Sequence, residues 1–298
     1  MKTRLFFTFF LLCSSFFNSY SQTDSTLTTG DTLVKTTGDT IVAIPPKPKN
    51  HEVYKLNPAV DIPIVAIGTG WSVFAFTKIY SKDPSTMEQI LNLDENDIPK
   101  FDRWAAGMSD QAADDNSDIL FYGSMGAPFL LMFDKEMRKD AGKIAFMYWE
   151  AMAITGLLYT GAVYSVDRYR PETYNTSVPV EERMGGNFKD AFFGGHPALV
   201  STAMFFTAKV YADYHPESSF RHVLYVAAIG ATGITVYLRH IAGKHFPSDL
   251  LIGTSVGTLT GILVPQFHKN KDNKDKKLGF LPYTNGKVTG FYMSYKLK

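Results

Sequence analysis

Three side chains that could together handle an anion lie within the segment 239–249. Arg239 precedes His245 by six residues, and Asp249 follows it by four. Pro247 suits the first turn of a helix, so His245 should stand at the helix entrance and Asp249 one turn inside. Asp249 could then accept the ring N–H of His245 and leave the other nitrogen free for attack. The alternative is that Asp249 only complements the helix dipole while His245 caps the chain end.

Two segments upstream carry residues of the same kind. His196 follows Gly194 and Gly195, which allow backbone N–H groups to come close to a ligand. Arg168 and Arg170 stand just before a proline, at the end of an apolar stretch. Pro171 should terminate the helix formed by this stretch, so the guanidinium groups should project from the helix end. Each feature also occurs in structural positions, because such histidines pack and helix-end arginines bind carbonyls or reach into solvent.

Apolar stretches of helical length carry and connect these segments, and strand punctuation is sparse between them. Gly, Ala and Thr recur along each stretch, which allows helix backbones to approach closely. The sequence therefore predicts an all-α bundle of about six helices. A short helix is expected near 85–91 in the polar segment 82–117, and a small hairpin near the C-terminus, around 285–297. The six stretches are 61–80, 118–133, 143–166, 196–212, 222–238 and 249–266.

The two ends of the chain differ from this bundle. Residues 1–21 combine a basic start, a short apolar run and a small-x-small end, which is typical of a secretory signal peptide. Residues 22–58 are polar and Pro-containing and should form a flexible linker, the bundle should cover 59–267, and a charged tail follows over 268–298. The single cysteine, Cys13, lies in the signal, so the mature chain should contain no disulfide. A lipoprotein site at Cys13 and a retained N-terminal anchor are the alternatives to cleavage.

Charge and hydropathy restrict the function classes. The formal net charge of +1 gives no general attraction for nucleic acid, so an anion site must be local. The mean hydropathy of −0.08 is low for a polytopic membrane protein, although two polar tails dilute it. A membrane-embedded bundle and an exported soluble bundle therefore both fit the composition.

In order and spacing, the three segments resemble the signature of the phosphatidic acid phosphatase type 2 and vanadium haloperoxidase superfamily. That signature reads Lys-x6-Arg-Pro, then Pro-Ser-Gly-His, then Ser-Arg-x5-His-x3-Asp. The resemblance covers about residues 118–266 and implies the all-α fold of that family. The matching residues are Arg170, Pro171, Gly195, His196, Arg239, His245 and Asp249.

By this resemblance, His245 is the nucleophile that forms a phosphohistidine, and Asp249 orients it. His196 protonates the leaving oxygen and then activates water. Arg170 and Arg239 bind the non-bridging phosphate oxygens. The Gly195 N–H adds a further donor, and no metal or other cofactor is implied.

Three signature positions differ in this chain, which removes phosphate contacts. Arg168 and Lys244 are the nearest cations that could replace the missing lysine; alternatively, both face solvent. The departures are Val163 for Lys, Phe193-Gly194 for Pro-Ser, and Leu238 for Ser.

A phosphorylated lipid is the expected substrate, because the helices are apolar. Phosphatidic acid, phosphatidylglycerol phosphate, undecaprenyl pyrophosphate and a lipid A phosphate all fit. An exported soluble acid phosphatase acting on small phosphate esters and a non-catalytic phosphate-binding member are the alternatives. A haloperoxidase is disfavoured, because the missing lysine removes a cation that would hold vanadate.

The signal predicts a place in the cell envelope, with the active site facing the periplasm. If residue 22 were exported and all six stretches crossed the membrane, the segment around 170 would end in the cytoplasm. We therefore expect either that stretch 61–80 does not cross or that no stretch does.

Overall fold

The computed structural model describes residues 52–270, 278–284 and 289–295 of the chain. These residues form eight α-helices and one antiparallel hairpin, which confirms the predicted all-α bundle with a small C-terminal hairpin. The predicted signal peptide and most of the predicted linker, residues 1–51, lie outside the described residues. The elements are α1 (Pro58–Ile79), α2 (Met87–Leu91), α3 (Gln111–Met125), α4 (Lys135–Lys139), α5 (Ala141–Ser165), α6 (Gly195–Tyr214), α7 (Phe220–Ile241), α8 (Pro247–His268), β1 (Leu278–Thr284) and β2 (Thr289–Tyr295).

Helix α6 lies at the centre of the bundle, where it packs against α3, α5, α7 and α8. Gly253, Gly257 and Gly261 recur every fourth residue along α8 and face α6. A Cβ at Gly257 would overlap the carbonyl oxygen of Ala198, and one at Gly261 would lie 2.6 Å from that of Thr202. Small residues at this spacing therefore fix the contact between the two helices whose N-termini carry the candidate histidines.

Helix α1 packs along α5 and runs the full length of the bundle. Asp61, near its start, pairs with His268 at the end of α8. Lys82, just after its end, pairs with Asp190, which precedes α6. One end of the bundle thus carries the end of α1 and the starts of α6 and α8. We call it the active-site end, and the other the far end.

Two helices end earlier than the sequence predicted. Helix α3 ends at Met125, and a 3₁₀ helix covers Ala127–Phe133. Helix α5 ends at Ser165, so Arg170 does not lie on it. The prediction that this helix continues to Pro171 is wrong, because residues 168–170 pair with a second segment instead: the Arg168 N–H donates to Lys189 O and the Arg170 N–H to Phe188 O.

The short helix expected near 85–91 is present as α2. Thr86 caps it: its hydroxyl accepts from the Gln89 N–H, and the Gln89 side chain accepts from the Thr86 N–H. This reciprocal pair satisfies two donors that a helix start leaves open.

Three described helices, α1, α7 and α8, are long and apolar enough to cross a membrane. The distribution of side chains on α7 is the reverse of that in a water-soluble bundle, where apolar side chains face inward. Its inward face carries small or polar residues, such as Ala228, Thr232 and Thr235, whereas Val226 and Ile229 are 67% and 62% exposed. The large apolar side chains of α7 therefore cover the outside of the bundle.

Candidate active site

His245 lies in the short connection between α7 and α8 and is buried. Its Nδ1 lies 2.7 Å from the carbonyl oxygen of Ala191. A carbonyl can only accept, so Nδ1 carries the proton and Nε2 carries the lone pair. Gly243 lies two residues before His245 and has a φ of 67°, which favours glycine. A Cβ at this residue would overlap the Met108 carbonyl. The loop therefore presents His245 in the tautomer that a nucleophile needs.

Arg170 and Arg239 surround His245 with positive charge. Burial lowers the pKa of His245 well below its usual value, and the charges of Arg239 and Arg170 lower it further. Arg239 donates to Asp114, and Arg170 to Glu172 at 3.5 Å. The Nε atoms of both arginines are buried and have no hydrogen-bond partner among the described residues. Buried donors of this kind are rare, and an anion between the two guanidinium groups would satisfy them.

Helix α6 begins at Gly195, which places His196 in its first turn, as predicted. No side chain caps this helix, so its first N–H groups, Gly195 included, have the arrangement of an anion site. A Cβ at Gly195 would lie 2.7 Å from the Tyr159 ring, which explains the glycine. His196 Nε2 lies 2.9 Å from Asp118 Oδ1.

The charge state of His196 is set by two opposing effects. Burial and then the charge of Arg239 lower the pKa of His196 to about 4, while Asp118 acts in the opposite direction. Without a ligand, His196 is therefore neutral over most of the accessible pH range.

Asp249 lies one turn inside α8, as predicted, but it does not hold His245. Its Oδ2 accepts from the Phe246 N–H at 2.9 Å, and its Oδ1 accepts from Arg168. The predicted hydrogen bond from His245 to Asp249 is therefore wrong: the Ala191 carbonyl takes that place. Asp249 lies in the first turn of α8, which agrees with the alternative that it complements the helix dipole.

Residues 144–273 match the family model described as the PAP2 superfamily. This segment of the chain belongs to the PAP2 superfamily. No curated protein and no solved structure matches the chain. The matched segment contains every site residue predicted from the sequence, whereas the carboxylates Asp114 and Asp118 lie before it. The predicted residues are Arg168, Arg170, Gly195, His196, Arg239, Lys244, His245 and Asp249.

The two cations expected to replace the PAP2 lysine are both bound to carboxylates. Arg168 donates to Asp249 and, at 2.8 Å, to Asp102. Lys244 donates to Glu172 at 2.7 Å and lies 3.4 Å from Asp114. These contacts hold the loops of the site together, and the phosphate-binding role of Arg168 and Lys244 stays a prediction.

Val163, at the position of the PAP2 lysine, is fully buried against α1. A lysine placed there would bury its charge in an apolar cluster, which costs free energy. A lysine does reach this position from another element, since Lys82 Nζ donates to the Val163 carbonyl oxygen at 2.8 Å. Lys82 also pairs with Asp167 at 2.8 Å and Asp190 at 3.0 Å.

Sequence reasoning missed the two carboxylates of α3 that hold the site from the other side. Asp114 binds Arg239, and Asp118 binds His196. They are four residues apart and therefore share one face of the helix. That spacing indicates a shared helix face but not the partners of the two carboxylates, and it crosses the boundary between the polar segment 82–117 and the apolar stretch 118–133.

A polar cavity of about 280 Å³ opens beside the Lys244–Glu172 pair. Asp110, Arg183 and Phe188 also line it. Charges of both signs therefore border the site on this side.

Proposed function

We propose that this protein is a phosphatase that hydrolyses a phosphomonoester or pyrophosphate of a lipid through a phosphohistidine. Its PAP2 segment supports phosphatase activity on phosphate esters. The observation that carries the proposal is that Arg170 and Arg239 flank a buried neutral histidine while their buried Nε atoms lack partners. A phosphoryl group would supply the missing acceptors.

The first step of the proposed reaction uses both histidines. The lone pair on Nε2 of His245 attacks phosphorus as the bond to the leaving oxygen breaks, and His196 gives that oxygen a proton. Because Asp118 holds Nε2 of His196, the proton leaves from Nδ1. In the second step, His196 takes a proton from water, the water oxygen attacks phosphorus, and the phosphorus–nitrogen bond to His245 breaks. Arg170, Arg239 and the first N–H groups of α6 stabilise the equatorial oxygens throughout.

His196, the proposed general acid, must be protonated to act, whereas in the empty site its neutral form is favoured. Burial and then the charge of Arg239 hold the pKa of His196 at about 4, and a phosphate dianion beside Arg239 offsets that charge and so raises the pKa. Substrate binding therefore charges His196, and product release returns it to the neutral form. Protonation is coupled to occupancy of the site.

A lipid substrate is supported by the inverted pattern of α7. Large apolar side chains on the outside and small or polar ones inside are expected for a helix that contacts lipid. We therefore propose that the bundle is embedded in a membrane, where phosphorylated lipids would present their head groups to the active-site end.

Orientation in the membrane is constrained by α1. This helix runs from the far end to the active-site end, so a membrane-crossing bundle places residues just before Pro58 on the side opposite the site. Because α1 is long and apolar enough to cross, we propose that it does, in place of the expectation that stretch 61–80 does not cross. A periplasmic site then requires an N-terminus retained in the cytoplasm, or a bundle that does not cross.

Activity is tested with the full chain purified in detergent, using phosphatidic acid, phosphatidylglycerol phosphate, undecaprenyl pyrophosphate, a lipid A phosphate and para-nitrophenyl phosphate. We expect vanadate-sensitive phosphate release, fastest on one lipid, and an acid-labile phosphoenzyme that His245→Ala lacks. Faster turnover of the soluble ester by protein in the soluble fraction would favour an exported acid phosphatase. A vanadate-binding protein that hydrolyses none of the five would be a non-catalytic member.

Orientation is tested with a periplasm-only reporter enzyme inserted after Gly186, at the active-site end, or after Glu217, at the far end. Activity only after Gly186 is expected for a membrane-crossing bundle whose site faces the periplasm. Activity only after Glu217 would place the site in the cytoplasm, and activity at both positions would mean that the bundle is exported and does not cross.

A further inference from the structure

A buried cluster at the far end is formed by Asp61 on α1, Glu150 on α5 and His268 at the end of α8. Their exposed fractions are 4%, 3% and 8%. One ligand atom from each lies within 4.8 Å of the others. The length of α8, about 30 Å at 1.5 Å per residue, separates this cluster from His245.

The tautomer of His268 is fixed by the backbone. Its Nδ1 lies 2.8 Å from the Val264 carbonyl oxygen, so Nδ1 carries the proton. The lone pair on Nε2 then faces two carboxylates, with Asp61 Oδ2 at 3.2 Å and Glu150 Oε2 at 3.3 Å. Asp61 Oδ2 also accepts from the Asn57 N–H at 2.6 Å. The three acceptors would still repel one another, so a proton or a metal cation must lie between them.

Glu150 gives an independent indication of a ligand. Its Oε2 is buried and has no hydrogen-bond partner among the described residues. No lysine or arginine in the described part of the chain forms an ion pair with Asp61 or Glu150. A proton on His268 would leave one net negative charge buried, whereas a divalent cation would bring the total to zero.

The distances fit a small tetrahedral ion. With bonds of about 2.0 Å, the ligand atoms around tetrahedral zinc lie about 3.3 Å apart. The two nitrogen–oxygen distances of 3.2 and 3.3 Å agree with this separation. One imidazole with two carboxylates suits Zn²⁺, whereas Mg²⁺ and Ca²⁺ prefer oxygen ligands alone. The bond from Nδ1 to a backbone carbonyl is the usual second contact of a metal-binding histidine.

We infer that Asp61, Glu150 and His268 form a site for a divalent transition-metal ion of the zinc type, with a fourth position open to water. The ion would tie together α1, α5 and the end of α8. This site lies apart from the phosphate pocket and takes no part in the proposed transfer.

The test uses the untagged full chain in detergent, stripped with a chelator and then titrated with Zn²⁺ and separately with Co²⁺. We expect one equivalent of metal per chain by mass spectrometry and a rise in melting temperature of about 5–10 °C at saturation. Bound Co²⁺ should show the visible absorption bands of a tetrahedral N/O site. Glu150→Gln, which keeps the shape of the side chain, should weaken Zn²⁺ binding by at least about tenfold to a hundredfold.

His215→Gln is the matched control, because His215 pairs with a single carboxylate, Asp134, at 3.1 Å and is partly exposed. It should keep the full equivalent of metal. A wild-type protein that binds no stoichiometric Zn²⁺, with His268 protonated on both nitrogens by ¹⁵N NMR, would overturn the proposal. So would a Co²⁺ spectrum that Glu150→Gln leaves unchanged in folded protein.

Discussion

The two ends of α8 present histidines in the same tautomer to opposite surroundings. At the start, His245 donates from Nδ1 to the Ala191 carbonyl at 2.7 Å; at the end, His268 donates from Nδ1 to the Val264 carbonyl at 2.8 Å. Both therefore turn the lone pair of Nε2 inward. Around His245 lie arginines with unpartnered nitrogens, whereas around His268 lie two carboxylates.

This difference shows that the surrounding charge, more than the histidine, decides the ligand. Burial and then the arginines lower the pKa of His245 and keep it neutral, and the arginines attract a phosphoryl group to its free lone pair. The carboxylates around the same lone pair of His268 favour binding of a cation instead.

Replacing His245 with alanine should abolish nearly all phosphatase activity. Removing the nucleophile should lower kcat by at least about a thousandfold, while circular dichroism and melting temperature stay close to wild type. The measurement is phosphate release at saturating substrate. His215→Gln provides the control for loss of a histidine elsewhere. Near wild-type turnover in His245→Ala would exclude the phosphohistidine mechanism.

Replacing Arg168 with alanine should mainly cost stability. Burial already raises the pKa of Asp249 to about 7, and Arg168 opposes that rise. Without Arg168 the carboxyl group must either take up a proton or stay buried without its cation, so we expect a loss of about 3–5 kcal/mol in the free energy of unfolding. Adding Asn at position 249 should recover part of that loss, because it removes the uncompensated carboxylate. Denaturant titration of both single variants and the double variant measures this coupling.

The control for Arg168→Ala is Lys139→Ala, which breaks an exposed pair with Glu136 and should cost less than about 1 kcal/mol. Equal stability of Arg168→Ala and wild type, combined with weaker vanadate binding, would contradict this interpretation. It would return Arg168 to the direct phosphate-binding role expected from the sequence.

Some features of the fold and the site could be predicted from the sequence, and others could not. The helical stretches and the three motif segments could be predicted, because apolar periodicity and short spacings are local properties. The partner of His245 could not, because it depends on pairing between residues 168–170 and 188–190. That pairing places Ala191 at His245 and Arg168 at Asp249, and no local spacing encodes it. Asp118 was missed for the same reason, since its contact with His196 joins separate helices.

The charge state of His196 distinguishes an empty site from an occupied one. Its pKa is about 4 without ligand, so the ring should stay neutral as the pH falls from 8 to 5. Bound phosphate dianion should move the titration upward, because it offsets Arg239. Asp118→Asn should move it downward and lower kcat by about a hundredfold, because Asp118 favours the charged ring. Histidine ring NMR, assigned with His196→Gln, measures each shift. A titration near the ordinary value in free protein, unchanged by phosphate, would contradict the coupling.

The smallest expected effect concerns Lys82, which brings a positive charge to the position where the PAP2 signature has a lysine. Its ammonium group contacts the Val163 carbonyl oxygen and Asp190, and the next residue after Asp190 is Ala191, whose carbonyl holds His245. We therefore predict that Lys82 positions His245 through this backbone. Lys82→Met should lower kcat by about tenfold with little change in KM, because a slightly misplaced nucleophile binds substrate but reacts less often. The pKa of His245 should also change, which loss of packing elsewhere would not cause.

Lys143→Met is the matched control, since Lys143 likewise contacts two carboxylates, Glu52 and Asp140, but at the far end. If both variants keep wild-type kcat, Lys82 only joins α1 to the bundle, and Arg170 and Arg239 are sufficient cations for this pocket.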